Sequence, residues 1–264
     1  MKVDALLGSG QLGDVPGAVR RLEEAGYDGA WSAEVSHDPF LPLAVGATAT
    51  SRIELGTSIT VAFARSPMTT AYMFRPEPNP HGPPRVFLAA VGTDMTRVAG
   101  EVADGLVVHG FTTERYLREV TLPALAEGLA RSGRPRDRVE VTCPGFVLLD
   151  DGGPGFAERI TAVRRQIAFY GSTPAYRPVL ALHGWGSLAD RLHELSVTKD
   201  ESRWAAMGDL IDDEVLNTFA VIGPTQDAAA ELKRRYGDVV DRVTVPMPAG
   251  LPETQVRDLL AALR

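Results

Sequence analysis

Residues 85–110, RVFLAAVGTDMTRVAGEVADGLVVHG, hold an apolar run, a helical pattern and a second apolar run in one short unit. Val86–Ala90 and Leu106–Val108 are near-continuous apolar runs bounded by glycine, the pattern of strands buried on both faces. Met95, Val98, Ala99 and Val102 recur between them at helical spacing, which predicts a helix with that face inward. A strand–helix–strand unit of this kind makes its strands parallel. In parallel α/β folds, ligands collect where strands end in glycine-containing turns that feed helix N-termini. The turn Ala89-Ala90-Val91-Gly92-Thr93-Asp94 is therefore the first candidate for a bound anion or cofactor.

The same alternation extends along the chain. Further strands are predicted at Val3–Leu7, Gly29–Ser32, Ile53–Thr60, Val139–Leu149 and Thr218–Ile222. Helices are predicted at Val15–Ala25 with Asp14 as N-cap, Phe40–Thr50, Tyr116–Arg131 capped by Thr112 or Thr113, and Gln226–Tyr236 capped by Thr225. Seven parallel strands in this order point to a TIM-like (β/α) barrel, one domain over residues 1–264. Two regions break the rhythm. Residues 74–84, FRPEPNPHGPP, carry five prolines in eleven residues and cannot form regular structure. Residues 170–216 are read as a helical insertion or lid, with helices at Val179–Leu195 and Glu201–Ile211.

Composition narrows the function. A net charge of −7, with no Lys/Arg run to make a local exception, argues against nucleic acid or an anionic membrane as partner. With only Lys2, Lys199 and Lys233, a phosphate or acidic tail would be held by arginine and backbone N–H groups. No apolar run approaches the ~20 residues of a membrane span, and the start, MKVDALLGSGQLG, lacks a signal-peptide layout, so the expected compartment is the cytoplasm. The single cysteine, Cys143, reads as a small buried hydrophobe, and no histidine pair has metal-ligand spacing, so no metal is expected. Gly8-Ser9-Gly10-Gln11-Leu12-Gly13 matches a dinucleotide fingerprint, with Glu34 where the ribose acid would fall. Against this, the helix starts after the motif, and a Rossmann-type NAD(P) enzyme stands only as a third reading.

Five stretches taken together carry a family resemblance: GYDGAWSAEV (Gly26–Val35), IELGTSIT (Ile53–Thr60), LAAVG (Leu88–Gly92), AGEVADG (Ala99–Gly105) and FAVIGPTQDAAAELKRRYG (Phe219–Gly237). In order and position they resemble the bacterial luciferase-like superfamily, most closely its deazaflavin-dependent (coenzyme F420) oxidoreductases. The resemblance implies a TIM barrel with F420 or FMN across the C-terminal strand ends and a small organic substrate above the ring. It also implies a non-prolyl cis peptide at Ser58–Ile59. Cofactor contacts would come from Ser58, Ile59, Thr60, Ala89, Ala90, Val91, Gly92 and Thr93. Catalytic candidates are Glu34, which keeps the family's acid after the second strand, His37 and His109. A homodimer would be compatible with the apolar segment Phe40–Thr50.

Two departures from the family pattern bear on function. Val35 stands where relatives usually place a histidine, leaving His37 to reach the same space from the next loop. After Tyr72 and Met73 the chain runs straight into the proline-rich stretch. The resemblance implies a helix, a strand and more at that joint, so the barrel should be seven-stranded or gapped. The leading reading is a flavin- or F420-dependent oxidoreductase or monooxygenase. The alternative is a degenerate member that binds flavin without turnover, or that catalyses a cofactor-free cyclisation or isomerisation.

Overall fold

The computed structural model describes residues 1–8, 10–35, 37–61, 82–150, 152–153, 155–245 and 252–264. Among the described residues nine strands form: β1 (Lys2–Leu6), β2 (Gly29–Ser32), β3 (Glu54–Thr57), β4 (Phe87–Ala90), β5 (Gly105–Val108), β6 (Glu140–Cys143), β7 (Phe146–Leu149), β8 (Ala220–Gly223) and β9 (Arg242–Thr244). Seven of them make one parallel sheet in the order β3-β2-β1-β9-β6-β5-β4, and β7 pairs with β8 in parallel beside it. The last strand lies against the first. A dinucleotide fold would put the fourth strand there, so the Rossmann-type alternative is excluded by topology.

The sheet curls. Trp31 of β2 and Phe87 of β4 lie with four strands between them, yet their rings approach to 6.4 Å. The contact crosses the inside of a curled sheet whose edges, β3 and β4, are unpaired among the described residues, consistent with the seven-stranded or gapped form expected from the sequence. Glycine makes room for these rings: a Cβ on Gly56 would overlap Trp31, and one on Gly105 would overlap Phe87. Outward residues of the same strands, Val3, Ala5, Ala30, Leu106, Val108, Val141 and Val243, pack under the helices as the main core.

The inner floor of the barrel is ionic. Arg242 is fully buried and donates through Nε and Nη2 to both oxygens of buried Asp4, at 2.7 Å each. Its Nη1 reaches Glu54 at 2.7 Å and Glu140 at 3.4 Å, and the guanidinium lies 5.1 Å from the Trp31 ring centroid. Lys2 bridges Glu54 and Glu140, and Arg85 also reaches Glu140. Three carboxylates and three cations thus join β1, β3, β6, β9 and the approach to β4. Burial opposes the charge on Arg242, but its bonds to Asp4 and Glu54 outweigh that and hold its pKa above the usual arginine value.

Several expected boundaries move, each for a local reason. Strand β9 was not anticipated, because a three-residue strand beginning with arginine reads as surface. The predicted strand Val139–Leu149 splits into β6 and β7 at Pro144-Gly145, where proline removes a ladder donor. Thr218 and Phe219 belong to helix Asp213–Phe219, whose cap Asp212 accepts the Val215 N–H at 2.8 Å, so β8 starts later than expected. Asp14 is not a side-chain cap: it ends a 3-10 turn, Leu12–Asp14, in helical conformation. Helix Phe40–Ala47 stops short of Thr50, and helix Thr225–Tyr236 contains Thr225 with Pro224 at the cap position. Thr113 caps as expected, its hydroxyl accepting the Tyr116 N–H at 3.1 Å, and a π-helical stretch, Leu117–Thr121, then leads into helix Leu122–Ser132.

The region after β7 is richer than expected. Helices Phe156–Gly171, Arg177–Leu182, Gly186–Ser196, Arg203–Asp209 and Asp213–Phe219 enclose a second apolar core. Gly184, at φ +82, breaks the single helix predicted over Val179–Leu195. Another correction concerns helix Thr93–Val102. It packs through Thr96, Ala99 and Gly100 against helix Leu122–Ser132, and leaves Met95, Val98 and Val102 exposed beside the open seam. No helix among the described residues is long and apolar enough to cross a membrane.

Arg242→Met should lower the unfolding free energy by about 3–5 kcal/mol, because Asp4, whose pKa burial already raises, is left buried without its main partner and must stay charged there or take up a proton. Adding Asp4→Asn should recover part of that loss. Urea denaturation of both variants is the check, and a wild-type midpoint for Arg242→Met would contradict the floor's role.

Candidate active site

Strands β1 to β5 end at one rim of the barrel, the end where parallel α/β barrels place their chemistry. Apolar side chains stand exposed along it: Leu6 at the end of β1 (52%), Ile59 beyond β3 (47%) and Val91 beyond β4 (37%).

Backbone pairing continues past β2 and β3. The Ser58 N–H donates to the Ser32 carbonyl at 2.8 Å and the Glu34 N–H to the Ile59 carbonyl at 3.1 Å. The Glu34 carboxylate accepts the Val61 N–H at 2.7 Å, so this acid holds the chain leaving β3. The Ser58–Ile59 peptide is cis. The Thr60 hydroxyl oxygen is buried and has no hydrogen-bond partner among the described residues, an open polar valence at the rim. His37 is half-buried in the loop before helix Phe40–Ala47, and among the described residues no hydrogen bond joins it to Glu34 or His109. Ser36 lies outside the described residues.

The turn after β4 is shaped for close approach. Gly92 is the N-cap of helix Thr93–Val102 in an extended conformation, and a Cβ built on it meets nothing within 4 Å. The first N–H groups of a helix lack intrahelical acceptors and favour negative charge. Asp94 in the same turn is held by Arg97 at 2.7 Å, which balances its charge.

His109 follows β5. Gly105 faces Phe87 inside the barrel, and alternation along β5 puts Val107 and His109 on the same inner side. Its Nδ1 accepts the Phe111 N–H at 3.0 Å, which assigns the proton of the neutral ring to Nε2, 3.2 Å from the Tyr176 hydroxyl. Tyr176 stacks on the imidazole at 4.6 Å and Tyr170 meets it edge-on at 5.0 Å. Burial pushes the His109 pKa below its ordinary value. Sequence reading found His109 but missed Tyr170 and Tyr176. The available signal was the aromatic density of residues 169–176, which span the end of helix Phe156–Gly171 and the turn after it.

The other candidates have structural partners. His183 bonds through Nε2 to the Thr113 hydroxyl at 2.8 Å and stacks on Trp185, fastening the helical region to the segment after β5. His193 uses Nδ1 toward the Ser172 carbonyl at 3.0 Å. Cys143 is buried, and burial pushes its thiol pKa up to about 12, which leaves no thiolate at neutral pH. A cavity of about 520 Å³ lined by Arg85, Asp104, Arg134 and Arg138 opens at the opposite end, before β4, β5 and β6. That end of a barrel is tied to stability rather than chemistry, so its size does not make it the active site.

The curled parallel sheet and its covering helices define a TIM-like barrel. The chain belongs to the luciferase-like monooxygenase family, whose model matches residues 1–75 and 72–242. A Mycobacterium tuberculosis relative, described as uncharacterized protein Rv1360, is 42% identical over 307 aligned positions covering 88% of this chain and 89% of that protein. Since 88% of 264 residues is about 232, roughly 75 of those positions have no counterpart here. The two family matches meet at residues 72–75, the joint at which the sequence runs short. Among solved structures, the chain is similar to the coenzyme F420 dependent tetrahydromethanopterin reductase from Methanopyrus kandleri. The TM-score is 0.75 at 16% identity, covering 98% of this chain and 96% of that one. It is also similar to the EDTA monooxygenase from Chelativorans sp. BNC1, with TM-score 0.60 at 14% identity, covering 100% and 93%.

The lowered pKa of His109 sets the sign of a pH effect. The neutral ring is favoured in the folded protein, so its contribution is complete above the unfolded value of about 6.5 and declines as pH falls below it. A nitrogen-15 NMR titration of histidine-labelled protein should find His109 as the Nε2–H tautomer with a pKa below 6.5. A pKa above that value would contradict the assignment.

Proposed function

We propose that this protein is an oxidoreductase that binds a flavin or deazaflavin, FMN or coenzyme F420, at the rim and acts on a small organic molecule stacked over it. The observation that carries the reading is the rim itself: exposed Leu6, Ile59 and Val91 around a buried, unpartnered Thr60 hydroxyl, beside the open Gly92 turn. Apolar surface left in such a concave, strand-end position suits a flat ring, and the spare hydroxyl suits a ring heteroatom. Ser58, Ile59 and Thr60 would lie on one side of the ring. Ala89, Ala90, Val91, Gly92 and Thr93 would meet its edge and its phosphate-bearing arm. The bound group would supply hydride transfer; the chain supplies orientation and a dry surround.

Glu34 is then a positioning residue, since its carboxylate fixes the backbone beyond β3 through Val61. His37 is the remaining candidate for proton transfer from the adjoining loop. With three lysines in the chain, a phosphate or an acidic tail would be held by arginine and backbone N–H groups. A similar fold is found in an F420 dependent reductase and in an EDTA monooxygenase, which supports a redox cofactor of this type without choosing between the two.

One observation favours a second reading. Roughly 75 aligned positions have no counterpart here, β3 and β4 are unpaired edges among the described residues, and Val35 stands where the resemblance implies a histidine. A member so altered could hold a cofactor without turnover, or use the cavity for a cofactor-free isomerisation or cyclisation.

Titration of the protein with FMN and, in parallel, F420, followed by fluorescence, separates cofactor binding from the cofactor-free alternative, and reduction of the bound cofactor on adding substrate then separates turnover from binding alone. The expected result is saturable binding of one of them. Gly92→Asp should weaken it by about 10- to 100-fold through charge repulsion, while leaving the fold intact, because aspartate is a good N-cap and its Cβ has room. Failure of both cofactors to bind the wild type would refute the redox reading.

A further inference from the structure

The His109–Tyr176 pair has a donor left over. Phe111 is buried and stacks on Phe219 at 4.5 Å, which pins its backbone N–H against His109 Nδ1. The neutral imidazole must then carry its proton on Nε2 and give it to the Tyr176 oxygen. The phenolic proton of Tyr176 is not spent in that bond, and it has no acceptor among the described residues. Tyr176 sits in the turn Pro174–Tyr176, half-buried, held over the inner side of β5 by stacking on His109. Its hydroxyl therefore offers a hydrogen bond at the rim without needing to ionise.

Resting on the reading above that the rim is the substrate site, we propose that Tyr176 is the substrate-binding donor and that the site takes molecules with an uncharged oxygen acceptor, such as a ketone or aldehyde. His109 is a positioning residue that aims the phenol. It is not a general base: Nδ1 is engaged by an N–H, and Nε2 carries the proton. Burial and the neighbouring Tyr170 raise the Tyr176 pKa, so the phenol keeps its proton at neutral pH. The titratable groups packed on His109 are Tyr170 and Tyr176, and among the described residues no hydrogen bond or ion pair links it to a carboxylate. Protonation of His109 would set Nδ1–H against the Phe111 N–H and release the pair.

The probes are cyclohexanone and methylenecyclohexane, which share a shape and differ in C=O against C=CH₂. Binding is measured by NMR with no turnover required, on the protein with and without FMN and F420. Wild type should prefer the ketone by about five- to tenfold, the worth of one ordinary hydrogen bond. Tyr176→Phe should lose the preference, and His109→Gln, which keeps an N–H toward Tyr176, should retain more of it than His109→Leu. In the wild type alone, the carbon-13 signal of the bound carbonyl should move downfield and lose that shift as pH drops through the His109 pKa. An equal preference in Tyr176→Phe, or no preference in wild type, overturns the proposal. Ketone preference in a protein that binds neither cofactor supports it and instead sinks the redox reading.

Discussion

A buried guanidinium organises this barrel. Arg242 comes from the shortest strand of the sheet, yet its three nitrogens reach carboxylates on β1, β3 and β6 and its face covers Trp31. A closed barrel distributes such closure over a complete ring of hydrogen-bonded strands. Here no strand pairing joins β3 to β4 among the described residues, and ladder hydrogen bonds between these two edges do not hold them in register. Charges acting across the floor do so, since each must stay near its partners once it has left water. The Trp31–Phe87 contact just above takes its place from the same arrangement, with Gly56 and Gly105 giving up side chains to admit the rings.

Floor and rim then divide the work. The ionic layer fixes strand directions at one end, and the other end inherits a set of strand termini aimed at a common space. Past the ends, local devices finish the site: Glu34 clamps the chain leaving β3, Gly92 opens the turn into the next helix, and Phe111 locks the tautomer of His109. The helical region between β7 and β8 has its own apolar core and contributes Tyr170 and Tyr176 to the rim, which makes it part of the site as well as a cover.

Much of this was legible beforehand because it depends on local pattern. The unit from Val86 to Val108 reads as strand, helix and strand from periodicity and glycine positions alone, and the Thr113 cap is equally local; the joint near Tyr72 is legible only through the family resemblance. What escaped the sequence is non-local. Arg242 looks like a solvated charge until the sheet places Asp4, 238 residues earlier, beside it. Met95, Val98 and Val102 have the spacing of a buried face, but the helix packs through Thr96, Ala99 and Gly100 instead and leaves them exposed. Tyr176 is one more aromatic residue in a helical stretch until His109 is found beneath it.

The central claim is that the C-terminal rim, and not the cavity at the other end, receives the redox cofactor. Hydrogen–deuterium exchange with and without saturating FMN or F420 tests it directly. The account predicts protection of backbone amides at residues 58–61 and 91–95 with residues 133–138 unchanged. Protection confined to 133–138, beside Arg85 and Asp104, would contradict it.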